Sequence, residues 1–241
     1  MGSRDVAGVD ASVACAETRV WLVRLDRTGA EIAPMRATLS EDEAERAARF
    51  YFDRDRNHFI VARATLRKLI AERVGCEAGE VRFEYNQWGK PALAAGFARG
   101  DLRFNLSHSG GFAIYAITCG RDVGVDIETI RADIASERVA ENFFSPVEVS
   151  ALRALPVAEQ PEGFFNCWTR KEAYVKARGE GLSIELASFD VSLRPGEPAA
   201  IVRAADREKW SIASFRPEPE RVAAVVIESG GDGIPAPCWL A

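Results

Sequence analysis

Val123-Gly124-Val125-Asp126-Ile127-Glu128 alternates aliphatic and acidic side chains. Alternation with period two is the signature of a strand, in which residues i and i+2 share a face. Asp126 and Glu128 therefore point one way, and Val125 and Ile127 the other. Further on, Phe164-Phe165-Asn166-Cys167-Trp168-Thr169-Arg170-Lys171-Glu172-Ala173-Tyr174-Val175-Lys176 reads as a helix. On it Trp168, Glu172 and Lys176 recur at i, i+4 and i+8 along one face. Three carboxylates from a strand and a helix suit a hard cation such as Mg²⁺, which keeps open positions for substrate phosphates. A lysine one turn away would then meet a phosphate oxygen. Each pair also has a plainer reading, as a solvated strand face and as a surface ion pair. Gly124 beside the acids, and Gly179 and Gly181 after the helix, supply backbone that a ligand can approach closely. Spacing alone does not say that the two segments meet.

Outward from this centre the chain reads as strands and helices in two similar runs. Residues 1–18 are small and polar and are expected to lack fixed structure. Residues 19–26 have the β-branched and aromatic content of a strand. Ser40 and Glu43 form a capping box opening a helix through Arg49, and a second helix spans about 55–73 and ends at Gly75. Residues 81–85 alternate as a strand, 86–91 form a turn, and 102–107 with 112–118 make a hairpin around Gly110-Gly111. After a break near Gly120 the pattern resumes with the strand at 122–128. Ser145, Pro146 and Glu148 repeat the helix-start signal. The helix through Trp168 follows, and then strands at 189–193, 210–215 and 222–227. The class is α+β, with two similar subdomains at 19–120 and 121–229. The Gly- and Pro-rich tail, 230–241, is expected to be loose.

Composition narrows the function classes. The chain has 241 residues, 47% hydrophobic and 28% charged, the proportions of an ordinary soluble protein with a real core. A net charge of −5 gives no general attraction to nucleic acid or an anionic membrane. Residues 46–73 nonetheless carry eight Arg or Lys against three acids, which suits a phosphorylated cofactor, an acidic partner or a solvated helix face. Five scattered cysteines without a C-x-x-C pair argue against a disulfide framework or zinc site, and for a reducing cytoplasm. No apolar signal core or membrane-length segment is present.

Of the two histidines, His108 follows a strand among Ser107, Ser109, Gly110 and Gly111, a setting that suits anion contact as well as a structural role. His58 lies on a helix beside Phe59 and reads as structural or weakly phosphate-binding. Lys90, after Gly89, is either a solvated loop lysine or a reach toward phosphate. No nucleophile elbow, zinc-protease motif or P-loop occurs, so the attacking group is expected to come from a substrate.

Taken in order, Gly89-Lys90-Pro91, Phe104-Asn105-Leu106-Ser107-His108-Ser109-Gly110, the 123–128 strand, Phe143-Phe144-Ser145 with Glu148, and Trp168 to Lys176 with Gly181 resemble the Sfp-type 4′-phosphopantetheinyl transferases. The resemblance covers roughly residues 40–189 and implies a pseudo-twofold pair of α+β halves with coenzyme A between them. It implies transfer of the phosphopantetheine arm to a serine of an apo acyl or peptidyl carrier protein, releasing adenosine 3′,5′-bisphosphate. On this footing Asp126, Glu128 and Glu172 are the Mg²⁺ ligands, with Glu172 also a candidate base. Lys176 contacts the coenzyme A phosphates, Ser107 and His108 the nucleotide phosphate, and Lys90 lines the same cleft. Arg63, with Arg46 and Arg56, stands at positions for the 3′-phosphate. Residues 143–155 are the implied carrier-docking region, and a cytoplasmic monomer is expected. Two departures stand out: Glu43 where some members carry lysine, and His58 where some carry arginine. The competing readings are a degenerate module that binds coenzyme A or a carrier, and a Mg²⁺-dependent phosphohydrolase.

Overall fold

Phe112–Cys119 fixes the layering, because it is apolar on both sides. Ala113, Tyr115 and Ile117 enter one buried core, while Phe112, Ile114 and Ala116 enter another. A strand with both faces covered reads as a continuous apolar run, as this one does. The computed structural model describes residues 18–96, 101–132, 137–230 and 233–240. The expectation for residues 1–18 thus falls outside the described residues but for the last.

The N-terminal half runs β1 (Arg19–Arg24), α1 (Gly29–Arg36), α2 (Glu41–Ala48), α3 (Asp53–Val74), β2 (Phe83–Tyr85), β3 (Pro91–Leu93), β4 (Leu102–Ser109) and β5 (Phe112–Cys119). The remainder runs β6 (Val123–Thr129), α4 (Glu137–Phe143), α5 (Pro146–Arg153), α6 (Gln160–Arg178), β7 (Asp190–Val191), β8 (Ile201–Arg203), β9 (Trp210–Phe215), β10 (Arg221–Glu228) and β11 (Cys238–Leu240). Two-stranded sheets pair β2 with β3 and β7 with β8; of the two larger sheets, one has the order β11-β1-β5-β4 and the other β6-β10-β9. The sheets face each other across Val20, Leu22, Ile114, Val125, Ile127 and Val225. Helix α3 covers the outer face of the first sheet, meeting Tyr115 and Ile117 through Leu66 and Ile70. Helix α6 covers the outer face of the second, meeting Val222, Ala224 and Val226 through Phe164, Ala173 and Tyr174. The result is four layers, helix-sheet-sheet-helix, and the chain is α+β.

Each half also uses its capping box in the same way. Glu43 caps Ser40 at the start of α2 and is buried against Arg63 and Arg67 of α3. Glu148 caps Ser145 at the start of α5 and is buried against Lys171 of α6. A local start signal thus ties a short helix to the long helix of its half.

Two expectations need correction. The tail is not loose throughout, since Cys238–Leu240 pairs in parallel with Trp21–Val23 at the edge of the first sheet. Its Trp239 meets Phe112 edge-on, and the Arg24 guanidinium lies over both rings. A three-residue strand whose apolar partner lies on a remote element leaves little periodicity to read. The strand expected at 189–193 shrinks to Asp190–Val191, with a bulge between them. Cys119 is disulfide-bonded, whereas Cys76, Cys167 and Cys238 are free. One bond beside three free thiols is no disulfide framework. Among the described residues no helix is long and apolar enough to cross a membrane.

Candidate active site

The acidic strand meets the acidic helix because Gly124 allows it. A Cβ at Gly124 would lie 2.0 Å from the Ala173 carbonyl oxygen and 2.2 Å from the Ala177 nitrogen. Helix α6 therefore presses directly on β6, and the glycine serves this contact rather than a ligand's approach. The face of β6 carrying Gly124 and Asp126 is turned to α6, while Val123, Val125 and Ile127 fill the layer between the sheets.

On that face Asp126 Oδ1 accepts from Lys176 Nζ at 2.6 Å and from Ser107 Oγ at 2.7 Å. Lys176 Nζ also donates to Ser107 Oγ at 3.1 Å. Two residues along both strands, Ser109 Oγ donates to Glu128 Oε2 at 2.7 Å. Asn105 adds a third link, its Oδ1 accepting from the Val125 amide at 2.9 Å. Strand β4 thus runs beside β6 with hydroxyls facing carboxylates at matching spacing. Ser109 was not singled out for a role at the acids. The signal was its two-residue offset from Ser107, which repeats that of Asp126 and Glu128.

The charges in this cluster are incompletely answered. Asp126 is buried, and its Oδ2 has no hydrogen-bond partner. Burial pushes the Glu128 carboxyl above the usual range, opposed by the Ser109 bond and reinforced by the charge of Asp126. Burial also raises Glu172, with Lys176 opposing and Asp126 adding to the shift. Buried and half-buried carboxylates in one another's field, one with an oxygen left without a donor, are costly, and a divalent cation would relieve that cost. The donors are all hard oxygens, as Mg²⁺ requires. The fit is one of kind and charge. Among the described residues no three His, Cys, Asp or Glu side chains are gathered around one point, and the charge that meets Asp126 is the Lys176 ammonium.

Two cavities flank the cluster. One of about 390 Å³ is lined by Asp26, Arg54, His58, Phe59, His108 and Ser109. Within it His58 Nε2 lies 2.8 Å from Asp26 Oδ1. His108 keeps an exposed edge, yet desolvation by its surroundings, then the charges of Lys176, His58 and Arg46, holds its imidazole below the usual range. The other cavity, about 320 Å³, is more apolar and is lined by Trp88, Leu106, Glu172, Val175, Lys176 and Leu186 among others.

Of the cationic residues expected at phosphates, three are engaged elsewhere. Arg63 is buried, and its Nε and Nη2 donate to Glu43 Oε1 at 2.8 and 2.5 Å. Arg67 Nε donates to Glu43 Oε2 at 2.6 Å, and the Ser40 amide reaches the same oxygen at 3.1 Å. Burial alone would raise Glu43, but Arg63 and Arg67 together hold its carboxyl below the usual range. The departure at Glu43 thus goes with an arginine turned inward, whose donors go to Glu43 and the Tyr85 hydroxyl. Arg56 donates to Asp53 one turn before it on α3. Lys90 Nζ donates to the carbonyls of Lys176, Ala177 and Val123 at 2.7, 3.2 and 3.2 Å, and burial lowers its pKa. Arg46 remains exposed, its guanidinium 5.3 Å from the Phe59 ring centre and its charge felt at His108.

Comparison with known proteins identifies the family. Residues 26–120 match the family described as 4′-phosphopantetheinyl transferase, N-terminal, and residues 122–226 match the 4′-phosphopantetheinyl transferase superfamily. The 4′-phosphopantetheinyl transferase HetI of Nostoc is 39% identical over 215 residues, covering 89% of each chain. A 4′-phosphopantetheinyl transferase of Bacillus subtilis is 30% identical, covering 86% of this chain and 91% of its own. The Sfp enzyme of Bacillus subtilis strain 168 is also 30% identical, over 78% of this chain and 81% of its own. Matched in both halves and aligned nearly end to end with such relatives, the chain belongs to the 4′-phosphopantetheinyl transferase superfamily.

Proposed function

We propose that this enzyme transfers the 4′-phosphopantetheine arm of coenzyme A to a serine hydroxyl of an apo acyl or peptidyl carrier protein. The reading rests above all on Asp126, a buried carboxylate with one orphaned oxygen, flanked by two further carboxylates and a lysine. Asp126, Glu128 and Glu172 would hold Mg²⁺, which when bound supplies positive charge opposite the pyrophosphate oxygens. Lys176 has three donors and spends two on Asp126 and Ser107, leaving one for a pyrophosphate oxygen. Glu172 takes the proton of the serine hydroxyl as that oxygen bonds to phosphorus. The bond from phosphorus to the bridging oxygen breaks, and adenosine 3′,5′-bisphosphate leaves with the electron pair. Such displacements need positioning and charge neutralisation more than covalent help.

The two cavities suit the donor. His108, Arg54 and His58 offer cationic or hydrogen-bonding groups for its phosphorylated nucleoside on one side. The apolar walls beside Glu172 accept its less polar parts on the other. The carrier docks on the face where Phe143 and Val147 are exposed beside Trp168. The test is incubation with coenzyme A, Mg²⁺ and a panel of apo carriers, read by mass spectrometry. A gain of one phosphopantetheine arm on a carrier serine is expected. Absence of any gain across the panel overturns the reading.

A further inference from the structure

The last turn of α6 is capped by a side chain from the other half of the molecule. Carbonyls in the last turn of a helix have no amide ahead of them and need partners from elsewhere. For Lys176 and Ala177 that partner is Lys90 Nζ, at 2.7 and 3.2 Å. The third proton of the same ammonium goes to the Val123 carbonyl of β6 at 3.2 Å. A lysine has three donors, and all three are used. Asn86 extends the grip. Its Nδ2 donates to the Gly179 carbonyl at 2.9 Å, while its Oδ1 accepts from the amides of Trp88 and Lys90. The loop is therefore folded on itself before it reaches α6. Contact is close enough that a Cβ on Gly179 would lie 3.3 Å from Lys90 Cδ, at a residue with φ of +72°.

We propose that Lys90 is a positioning residue, which ties the end of α6 to β6 so that Lys176 and Glu172 keep their approach to Asp126. This rests on the transfer reaction proposed above, and it gives Lys90 no contact with the donor through its ammonium. The geometry carries the assignment: one nitrogen bonds the strand three residues before Asp126 and the helix at Lys176 itself, whose own Nζ bonds Asp126. Displacements of about 1 Å in a reacting constellation cost on the order of 10²-fold in rate.

The experiment compares the wild-type enzyme with Lys90→Ala in steady-state transfer to a carrier the wild type modifies. Lys90→Ala is expected to lower kcat by about 10²-fold while KM for coenzyme A moves by less than about twofold. Added ethylammonium, which returns an ammonium to the vacated space, is expected to restore part of kcat. Backbone amide exchange in the last turn of α6 is expected to quicken in the variant. A raised KM for coenzyme A at unchanged kcat overturns the proposal, because it places Lys90 on the donor. Unchanged kinetics, or a loss that ethylammonium leaves untouched, overturns it as well. If Lys90→Ala does not fold, Lys90→Arg carries the comparison, since its planar donors cannot converge on the three carbonyls; unchanged kcat there is equally fatal. A wild type that modifies no carrier removes the functional reading instead, and unaltered exchange at the end of α6 would then decide against the tether.

Discussion

Two clusters of buried charge, one in each half, are built from the same materials and reach opposite states. Around Glu43 every partner is present. Two arginines and the Ser40 amide cover both carboxylate oxygens, and Arg67 Nη1 donates to the Ala78 and Val81 carbonyls. Around Asp126 one carboxylate oxygen is covered twice and the other not at all. The same contrast occurs between neighbours on α6. Lys171 is fully enclosed by Glu148 and the Leu186 and Phe189 carbonyls, whereas Glu172 borders a cavity. The completed network ties short helix to long helix, whereas the incomplete one leaves a buried carboxylate oxygen without a partner.

The largest effect that tests this contrast is on catalysis. Asp126→Asn removes charge but keeps shape, and it should abolish transfer, by about 10³-fold or more, as losing a preorganised electrostatic group does. Its thermal midpoint should hold, because Lys176, the partner left behind, is partly solvated and still lies in the field of Glu172. Carrier modification and a melting curve on the same sample decide the matter. Transfer within tenfold of wild type, an interval of about 1.4 kcal/mol in barrier, would remove Asp126 from the site.

The closed cluster should answer the other way. Glu43→Gln leaves two buried guanidinium groups without their counter-charge, a loss of about 3–5 kcal/mol. Urea unfolding measures it, and KM for coenzyme A should be unmoved in the fraction that stays folded. A stability loss under about 1 kcal/mol, with a raised KM, would return Arg63 to the 3′-phosphate.

A smaller effect is expected at the rim of the open cluster. Ser109→Ala removes the one hydroxyl that answers Glu128, at a net cost of about 0.5–1.5 kcal/mol if expressed wholly in the barrier. That corresponds to a several-fold fall in kcat/KM, measured with Asp126 intact. An unchanged rate would show that the β4 hydroxyls only join the sheets.

Much of this is legible in the sequence. The acid-aliphatic alternation at 123–128 and the i, i+4 and i+8 spacing on α6 gave the correct faces, because both follow from backbone periodicity. What periodicity cannot supply is the reach of a long side chain. Lys90 lies in the expected turn, but four methylenes let its nitrogen go to solvent, to phosphate or to carbonyls, and only packing chooses. Arg63 read as a 3′-phosphate contact through the resemblance, and Glu43 as a departure where some members carry lysine; only packing shows the two bonded to each other. Helix α1 went unread although Thr28 and Glu31 form a capping box there, because Pro34 interrupts its pattern. The β11 pairing depends on residues more than two hundred positions apart, beyond any local signal.

The smallest and most diagnostic difference between the two clusters is the sign of their pH dependence. Glu128 and Glu172 have folded pKa values raised above the unfolded value of 4.5. Between those values the folded state binds more protons than the unfolded one, so stability falls as pH rises through the window. Their contribution is complete below pH 4.5 and is lost above their folded pKa. Glu43 is held below 4.5, so its contribution is present above that value and is lost as pH falls through its folded pKa. Glu172→Gln should therefore flatten the slope of stability against pH above 4.5, and leave the acid limb unchanged. Glu43→Gln should do the reverse. Denaturant midpoints measured across pH in both variants settle it, and equal slopes in the two would erase the distinction between a completed charge network and an open one.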